Sequence, residues 1–240
     1  RNKGIEFNLN TRNFVGEFTW ETNLNMTFNK NEVLKLGGPE ILSGVSLIRE
    51  GLPINSFYGY KMGGIYQTLD EVFAGVPMEN RAPDKAQVNT SPGDIWFVNV
   101  NGDDVINDFD RTVIGNPQPD FIFGFNNQFG YKNFDLSIFF QGSYGNDIWN
   151  GVRVSHEEST YNQFTSTLNR WNGKGSSNTM PRAIYADPNR NNRASTRWVE
   201  DGSYLRLKNL TFGYRFTQDW LKKIGAKSLR LYLSFDNLWT

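Results

Sequence analysis

Hydrophobic and polar residues alternate strictly along several stretches of the chain. From Phe18 to Phe28 the even positions are Phe18, Trp20, Thr22, Leu24, Met26 and Phe28, and the odd ones are Thr19, Glu21, Asn23, Asn25 and Thr27. Successive side chains of a strand point to opposite faces, so this run predicts a strand with one greasy face and one polar face. The pattern recurs at Phe121, Phe123, Phe125 and Phe129, and at Phe134, Leu136, Ile138, Phe140 and Tyr144. It returns at Leu210, Phe212, Tyr214 and Phe216, then at Leu229, Leu231, Leu233 and Phe235, with a shorter example at Ile5, Phe7 and Leu9. Each run is about ten residues, the length a tilted strand needs to cross a bilayer.

The connections sharpen this reading. Those around Asn13 to Gly16 and at Tyr131-Lys132-Asn133 are very short, and Gln218 to Lys227 reads as a compact helical turn. Those from Lys35 to Asp120 and from Gly145 to Asp201 are long and polar. Short turns at one end and long loops at the other match outer-membrane barrels, whereas structureless loops of that length are rare inside compact soluble domains. The expected fold is therefore all-β, an antiparallel transmembrane barrel. Strand parity requires zero or two crossings between Asn31 and Phe121. Phe57–Ile65 and Ile95–Val100 offer a pair, but the favoured reading places residues 32–120 mainly outside the cell, together with a long extracellular loop at 145–201.

Composition supports a strand-built membrane protein. Only 38% of residues are hydrophobic, yet 15% are aromatic, with 19 Phe, 10 Tyr and 7 Trp. Aromatic residues at strand ends, such as Tyr131, Phe134, Tyr144, Trp149, Tyr204 and Trp239, suit interfacial girdles. The 25 basic and 25 acidic residues balance, which leaves no footprint for nucleic acid. The absence of cysteine excludes disulfides, zinc-thiolate sites and a cysteine nucleophile. Nor does any segment approach a spanning helix or a signal peptide.

Five strings together resemble the SusC/RagA-type TonB-linked outer-membrane transporters of Bacteroidetes. They are FYGYKMGGIYQ (57–67), PGDIWFVNVNGDDVINDFDRTVIG (92–115), PQPDFIFGFNNQFGYKNFDLSIFFQGSYG (117–145), DGSYLRLKNLTFGYRF (201–216) and LRLYLSFDNLWT (229–240). The resemblance is weakest between residues 151 and 192. It implies a plugged barrel of roughly 22 strands, of which this chain would supply about six to eight from the C-terminal part of the barrel, with the plug domain absent. It further implies import of glycans or oligopeptides, a SusD-like surface lipoprotein as a lid, TonB acting through an absent N-terminal region, and contact with outer-membrane lipid. The alternative is a secreted soluble β-module that binds carbohydrate. An enzyme is not expected: His156, the lone histidine, lies beside Glu157 and Glu158 in a polar loop without a nucleophile or third partner.

Two candidate sites remain. Asn99 to Asp110 resembles a calcium loop, with Asn99, Asn101, Asp103 and Asp110 as side-chain ligands and Val105 through its carbonyl; the competing reading is an Asx-rich turn capped by its own side chains. Asn99 and Asp104 depart from the usual Asp and Gly of such loops. Trp149, Tyr161, Trp171, Tyr185 and Trp198 are candidates for stacking on substrate or on the lid protein, or else for packing loop against loop.

Overall fold

A computed structural model describes residues 1–78, 89–157, 162–217 and 220–240. Strands β1 (Asn2–Phe14) and β2 (Phe18–Asn31) form a hairpin. Short elements follow: β3 (Ile41–Ser43), β4 (Ser46–Ile48), β5 (Ser56–Gly59), β6 (Met62–Ile65), α1 (Leu69–Ala74), β7 (Ile95–Phe97) and β8 (Thr112–Gly115). A second long hairpin, β9 (Phe121–Tyr131) and β10 (Phe134–Tyr144), precedes β11 (Asp147–Trp149), α2 (Gly151–Glu157) and β12 (Val199–Asp201). Then come β13 (Tyr204–Phe216), α3 (Trp220–Lys223) and β14 (Leu229–Trp239).

These elements make two compact units. The first, residues 1–31, 118–146 and 202–240, is one antiparallel sheet in the order β1-β2-β9-β10-β13-β14. It contains all six strands expected from the long alternating runs. The second unit, residues 32–117 and 147–201, holds the short strands in three small sheets. No described residue between 32 and 117 joins the six-stranded sheet. Phe57–Ile65 and Ile95–Val100 instead contribute β5, β6 and β7, and β6 pairs with β7. The sheet is open, with β1 and β14 as its edges.

Register places the alternating residues on two faces. Directly opposed residues share a face, and Phe28↔Phe121, Met26↔Phe123, Leu24↔Phe125 and Trp20↔Phe129 carry one apolar surface from β2 to β9. Ile5↔Phe28, Phe7↔Met26 and Leu9↔Leu24 extend it to β1. Leu136↔Phe129, Leu136↔Phe212 and Ile138↔Leu210 carry it through β10 to β13, and Phe212↔Leu233 to β14. One interruption is polar. Asn127, 7% exposed, lies on this face opposite Thr22, and its side-chain oxygen accepts from Trp20 Nε1 and Thr22 Oγ1, both at 2.9 Å.

Bulges preserve the face where the sequence slips. In β13 Leu207 and Leu210 are three apart, an odd spacing for one side of a strand. Phe139 opposes Asn209 while Phe140 opposes Leu207, so Lys208 is the extra residue and both leucines return to the apolar face. A matching shift in β14 puts Asn237 at φ 54, and Lys208 Nζ donates to its Oδ1 at 3.1 Å.

The sheet's short connections, Val15 to Glu17, Lys132-Asn133 and the α3 link, all lie at one end. Part of that link, residues 218–219, falls outside the described residues. The β9–β10 turn is only two residues long and Lys132 occupies the left-handed region at φ 54. Residues 31, 118, 146 and 202 lie at the other end, where the chain leaves and re-enters the sheet.

Candidate functional site

Two surfaces could carry function: the polar face of the sheet and the second unit. The polar face is rich in amides and hydroxyls. Asn8 opposes Asn25, Asn23 donates to Asn10, and Asn126, Gln128, Ser137 and Gln141 continue the surface. Such side chains offer donors and acceptors to a polar solute without a strong net field. Near the turn end Arg12 pairs with Glu21 at 3.4 Å and Arg230 meets Asp135. The apolar face is uncovered within this unit, and Ile5, Phe7, Phe28, Phe134, Phe212, Leu231 and Leu233 are all exposed there.

The second unit is built round buried polar groups. Asp94 is fully buried and receives Arg182 in a two-point pair at 2.8 and 2.9 Å. The amide of Ser91 and the side chain of Asn191 also donate to it, at 2.8 and 3.1 Å. Asn191 accepts the backbone N–H of Ile95 at 2.8 Å, and Asn189 donates to the Ile95 carbonyl at 2.9 Å. Segments nearly a hundred residues apart in sequence are thereby fixed, beside a small core of Tyr60, Ile65, Ile95, Phe97 and Ile106. A buried charge is tolerated where its lone pairs are met in this way.

A second charged cluster flanks Trp198. Arg153 bonds both Glu157, at 2.9 Å, and Glu200, at 2.7 Å, while Arg197 reaches Glu157 at 3.2 Å. The Arg197 guanidinium lies 4.1 Å from the Trp198 ring centroid. The Arg153 guanidinium and then the Asn150 amide hold the Glu200 carboxyl below its usual range. Burial, followed by the hydrogen bond to Asp108 at 2.9 Å, pushes the Tyr60 phenol up to about 12. Beside the cluster lies a cleft of about 260 Å³ lined by Arg170, Gln163, Thr167, Tyr185 and the chain from Met180 to Ile184.

No family model matches the chain. It is similar over its whole length to TonB-dependent receptor P3 of Formosa agariphila, at 38% identity across 251 residues. It is also similar to TonB-dependent receptor SusC of Bacteroides thetaiotaomicron, at 28% identity over 98% of the chain. This chain belongs with the SusC/RagA-type TonB-dependent receptors. It spans about a quarter of the length of the curated relatives it matches, 24% of the first and 22% of SusC. In fold it resembles the RagAB peptide importer in its open-open state, with a TM-score of 0.74 at 20% identity, covering 99% of this chain and 25% of that one.

In this receptor segment the sequence candidates occupy very different settings. Asn99, Asn101, Asp103 and Asp110 turn their oxygens to their own loop. Asn99 Oδ1 accepts from the Gly102 amide at 2.7 Å, Asn101 Oδ1 from the Asp103 amide at 3.0 Å, and Asp103 Oδ1 from the Val105 amide at 3.0 Å. Asp110 is fully buried, with one oxygen on the Val100 amide and the other on the Asn107 amide, both at 2.8 Å. Among the described residues no group of three or more His, Cys, Asp or Glu is placed to hold a metal ion.

Of the aromatic candidates, Tyr185 is 88% exposed. Trp149 packs against Phe57, and Trp171 donates to Gln67 Oε1 at 3.0 Å while lying against Gly93. Trp198 is fully buried, with Nε1 on the Arg193 carbonyl at 3.2 Å, so it has no free surface in this geometry. Tyr161 lies outside the described residues. His156 sits on α2 with Nδ1 3.1 Å from the Asn162 carbonyl oxygen and its ring against Phe164. Sequence reasoning missed Asp94, Arg182 and Arg170, because ordinary acids and arginines in a polar loop carry no signal until their partners are known.

Proposed function

We propose that this chain forms part of the wall and the outer mouth of an outer-membrane, TonB-dependent importer of glycans or oligopeptides. The uncovered apolar face, continuous over six strands and backed by a polar face, is the observation that carries this reading. Lipid would cover the apolar face and the polar face would look into the lumen. Remaining barrel strands would pair with the edges of β1 and β14, since open sheet edges do not occur in hydrocarbon. With the short turns at the periplasmic end, the second unit would stand outside the cell. A SusD-like surface lipoprotein would close over it, and TonB would act on a part of the receptor beyond this chain. Among the described residues, Tyr185, Trp149 and Trp171 are the aromatic candidates left as contacts for substrate or lid.

The soluble carbohydrate-binding module finds less support. A β-sandwich buries its apolar face against a second sheet, and none of the described residues in the sheet unit supplies one. A cation role for the Asn99–Asp110 loop is a separate proposal, in which the four side chains and the Val105 carbonyl would turn from loop amides toward calcium.

The test uses outer membranes from the source organism. A membrane-bound polypeptide containing this sequence, whose gel mobility shifts on boiling, is expected, together with cargo uptake that stops when TonB is inactivated. A water-soluble polypeptide with no heat shift would overturn the importer.

A further inference from the structure

The cleft beside Tyr185 has features that a merely structural crevice does not need. Three arginines border it, and two are neutralised from within: Arg182 by Asp94, and Arg197 by Glu157. Arg170 differs. Its Nε donates to the Thr167 carbonyl at 2.7 Å and Nη2 approaches Gln163 Oε1 at 3.4 Å, but it makes no ion pair among the described residues. A half-buried guanidinium held by neutral groups keeps its charge available to an incoming anion. Asp187, the other acid on the rim besides Glu157, is already engaged, with its two oxygens on the amides of Asn191 and Asn192 at 2.9 and 3.1 Å.

The loop that carries Tyr185 is strained. Ala186, Asp187 and Arg190 all lie in the left-handed region, at φ 64, 39 and 55. Non-glycine residues rarely adopt it, and strain of this kind persists only where surrounding contacts impose it, often at ligand clamps. Here the Asp187 bonds to two amides and the Asn189–Asn191 network supply those contacts. The result is a tyrosine ring held almost wholly in solvent on a cleft that Arg170 also lines.

We propose that this cleft binds a uronate-type acidic sugar, its carboxylate on Arg170 and its ring against Tyr185, as a recognition subsite of the receptor's mouth. The proposal rests on the importer reading and deepens it by naming a cargo class. A flat exposed ring beside a guanidinium matches a carboxylated sugar ring, while the Thr167 hydroxyl is committed to the Phe164 carbonyl at 2.7 Å. The cleft's 260 Å³ suits one sugar unit rather than an entire oligomer.

The test is calorimetric titration of the detergent-purified full receptor with two uronic-acid trisaccharides, tri-galacturonate and tri-mannuronate, and with their methyl esters. At least one acid is expected to bind, with its ester at least tenfold weaker. R170Q should weaken the acid about ten- to hundredfold, in line with the loss of a charge-assisted contact, and leave the ester unchanged. R170K should restore part of the loss, and Y185A should weaken acid and ester alike. An unchanged heat-shifted gel band for each variant separates binding loss from misfolding. Equal binding of acid and ester, an R170Q receptor that binds like the parent, or no binding of either acid would overturn the proposal. A short peptide with a free C-terminal carboxylate is the competing probe, and its tighter, Arg170-dependent binding would overturn the sugar assignment. Each of these failures leaves the importer standing if the membrane band and TonB-dependent uptake persist.

Discussion

Asp135 on β10 and Arg230 on β14 form a two-point ion pair, at 3.0 and 2.5 Å, across the strand that separates them. The intervening residue of β13 is Gly213, which lies opposite both Asp135 and Tyr232. A Cβ on Gly213 would meet the Asp135 oxygens at 2.7 Å and Arg230 Nη2 at 2.8 Å. The glycine leaves a gap through which two non-adjacent strands are tied on the polar face.

Gly213→Val should therefore lower the temperature at which the receptor's gel band shifts on heating. Arg230→Gln should lower it less, because a partly exposed ion pair contributes only about 0.2–1 kcal/mol. Equal effects of the two changes would mean that the glycine's space has no role beyond the pair.

Ile138 and Ser137 are neighbours on β10 that point to opposite faces, Ile138 opposite Leu210 and Ser137 opposite Thr211. An arginine on a lipid face near the midplane costs about 2–4 kcal/mol, and one on a lumen face much less. Ile138→Arg should reduce assembled receptor in the outer membrane, whereas Ser137→Arg should assemble normally. Quantifying heat-shifted band in isolated membranes checks this; equal tolerance would contradict the assignment of faces.

Arg182 is the only charged partner of Asp94 seen among the described residues, and the Asp94 side chain is fully buried. Arg182→Met should destabilise the second unit by about 3–5 kcal/mol, since it strands a buried carboxylate. Limited proteolysis should then cut between residues 89 and 193 before it reaches the sheet. The double change with Asp94→Asn should recover part of the loss.

Two groups set pH limits on that unit. The Glu200 carboxyl is depressed, chiefly by Arg153, so its stabilising effect is present above the normal carboxylate range and lost as pH falls through its lowered value. Tyr60 is raised from 10.0 to about 12, so its contribution is complete below pH 10 and disappears as pH climbs toward 12. Glu200→Gln should flatten the acid limb of a tryptophan-fluorescence titration. Tyr60→Phe should remove one late-titrating tyrosine from the alkaline absorbance curve.

Asp110→Ala removes two amide acceptors from a fully buried position and should cost about 1–3 kcal/mol for the unmet amides. That loss should appear with or without calcium. If calcium stabilises the parent receptor and Asp103→Ala abolishes the effect, the loop is a cation site; if calcium changes nothing, its side chains serve its own backbone.

The six long strands and their faces were legible in the sequence because a period of two is a property of extended backbone, visible wherever apolar residues repeat. The two-residue turn at Lys132-Asn133 was equally local. The fate of Phe57–Ile65 and Ile95–Val100 was not, for a short apolar run looks alike whether it pairs in a long sheet or in the small sheets of the second unit. The sequence by itself also marked Trp198 and Tyr185 as similar aromatic loop residues. Tertiary structure separates them, burying one beneath Arg197 and holding the other in solvent beside Arg170. The same holds for Asp94 with Arg182, and for Asp135 with Arg230 across Gly213. Alternation records which side of a strand a residue takes, but the partner across the sheet or loop depends on register and chain path, and those are fixed only when distant segments pack.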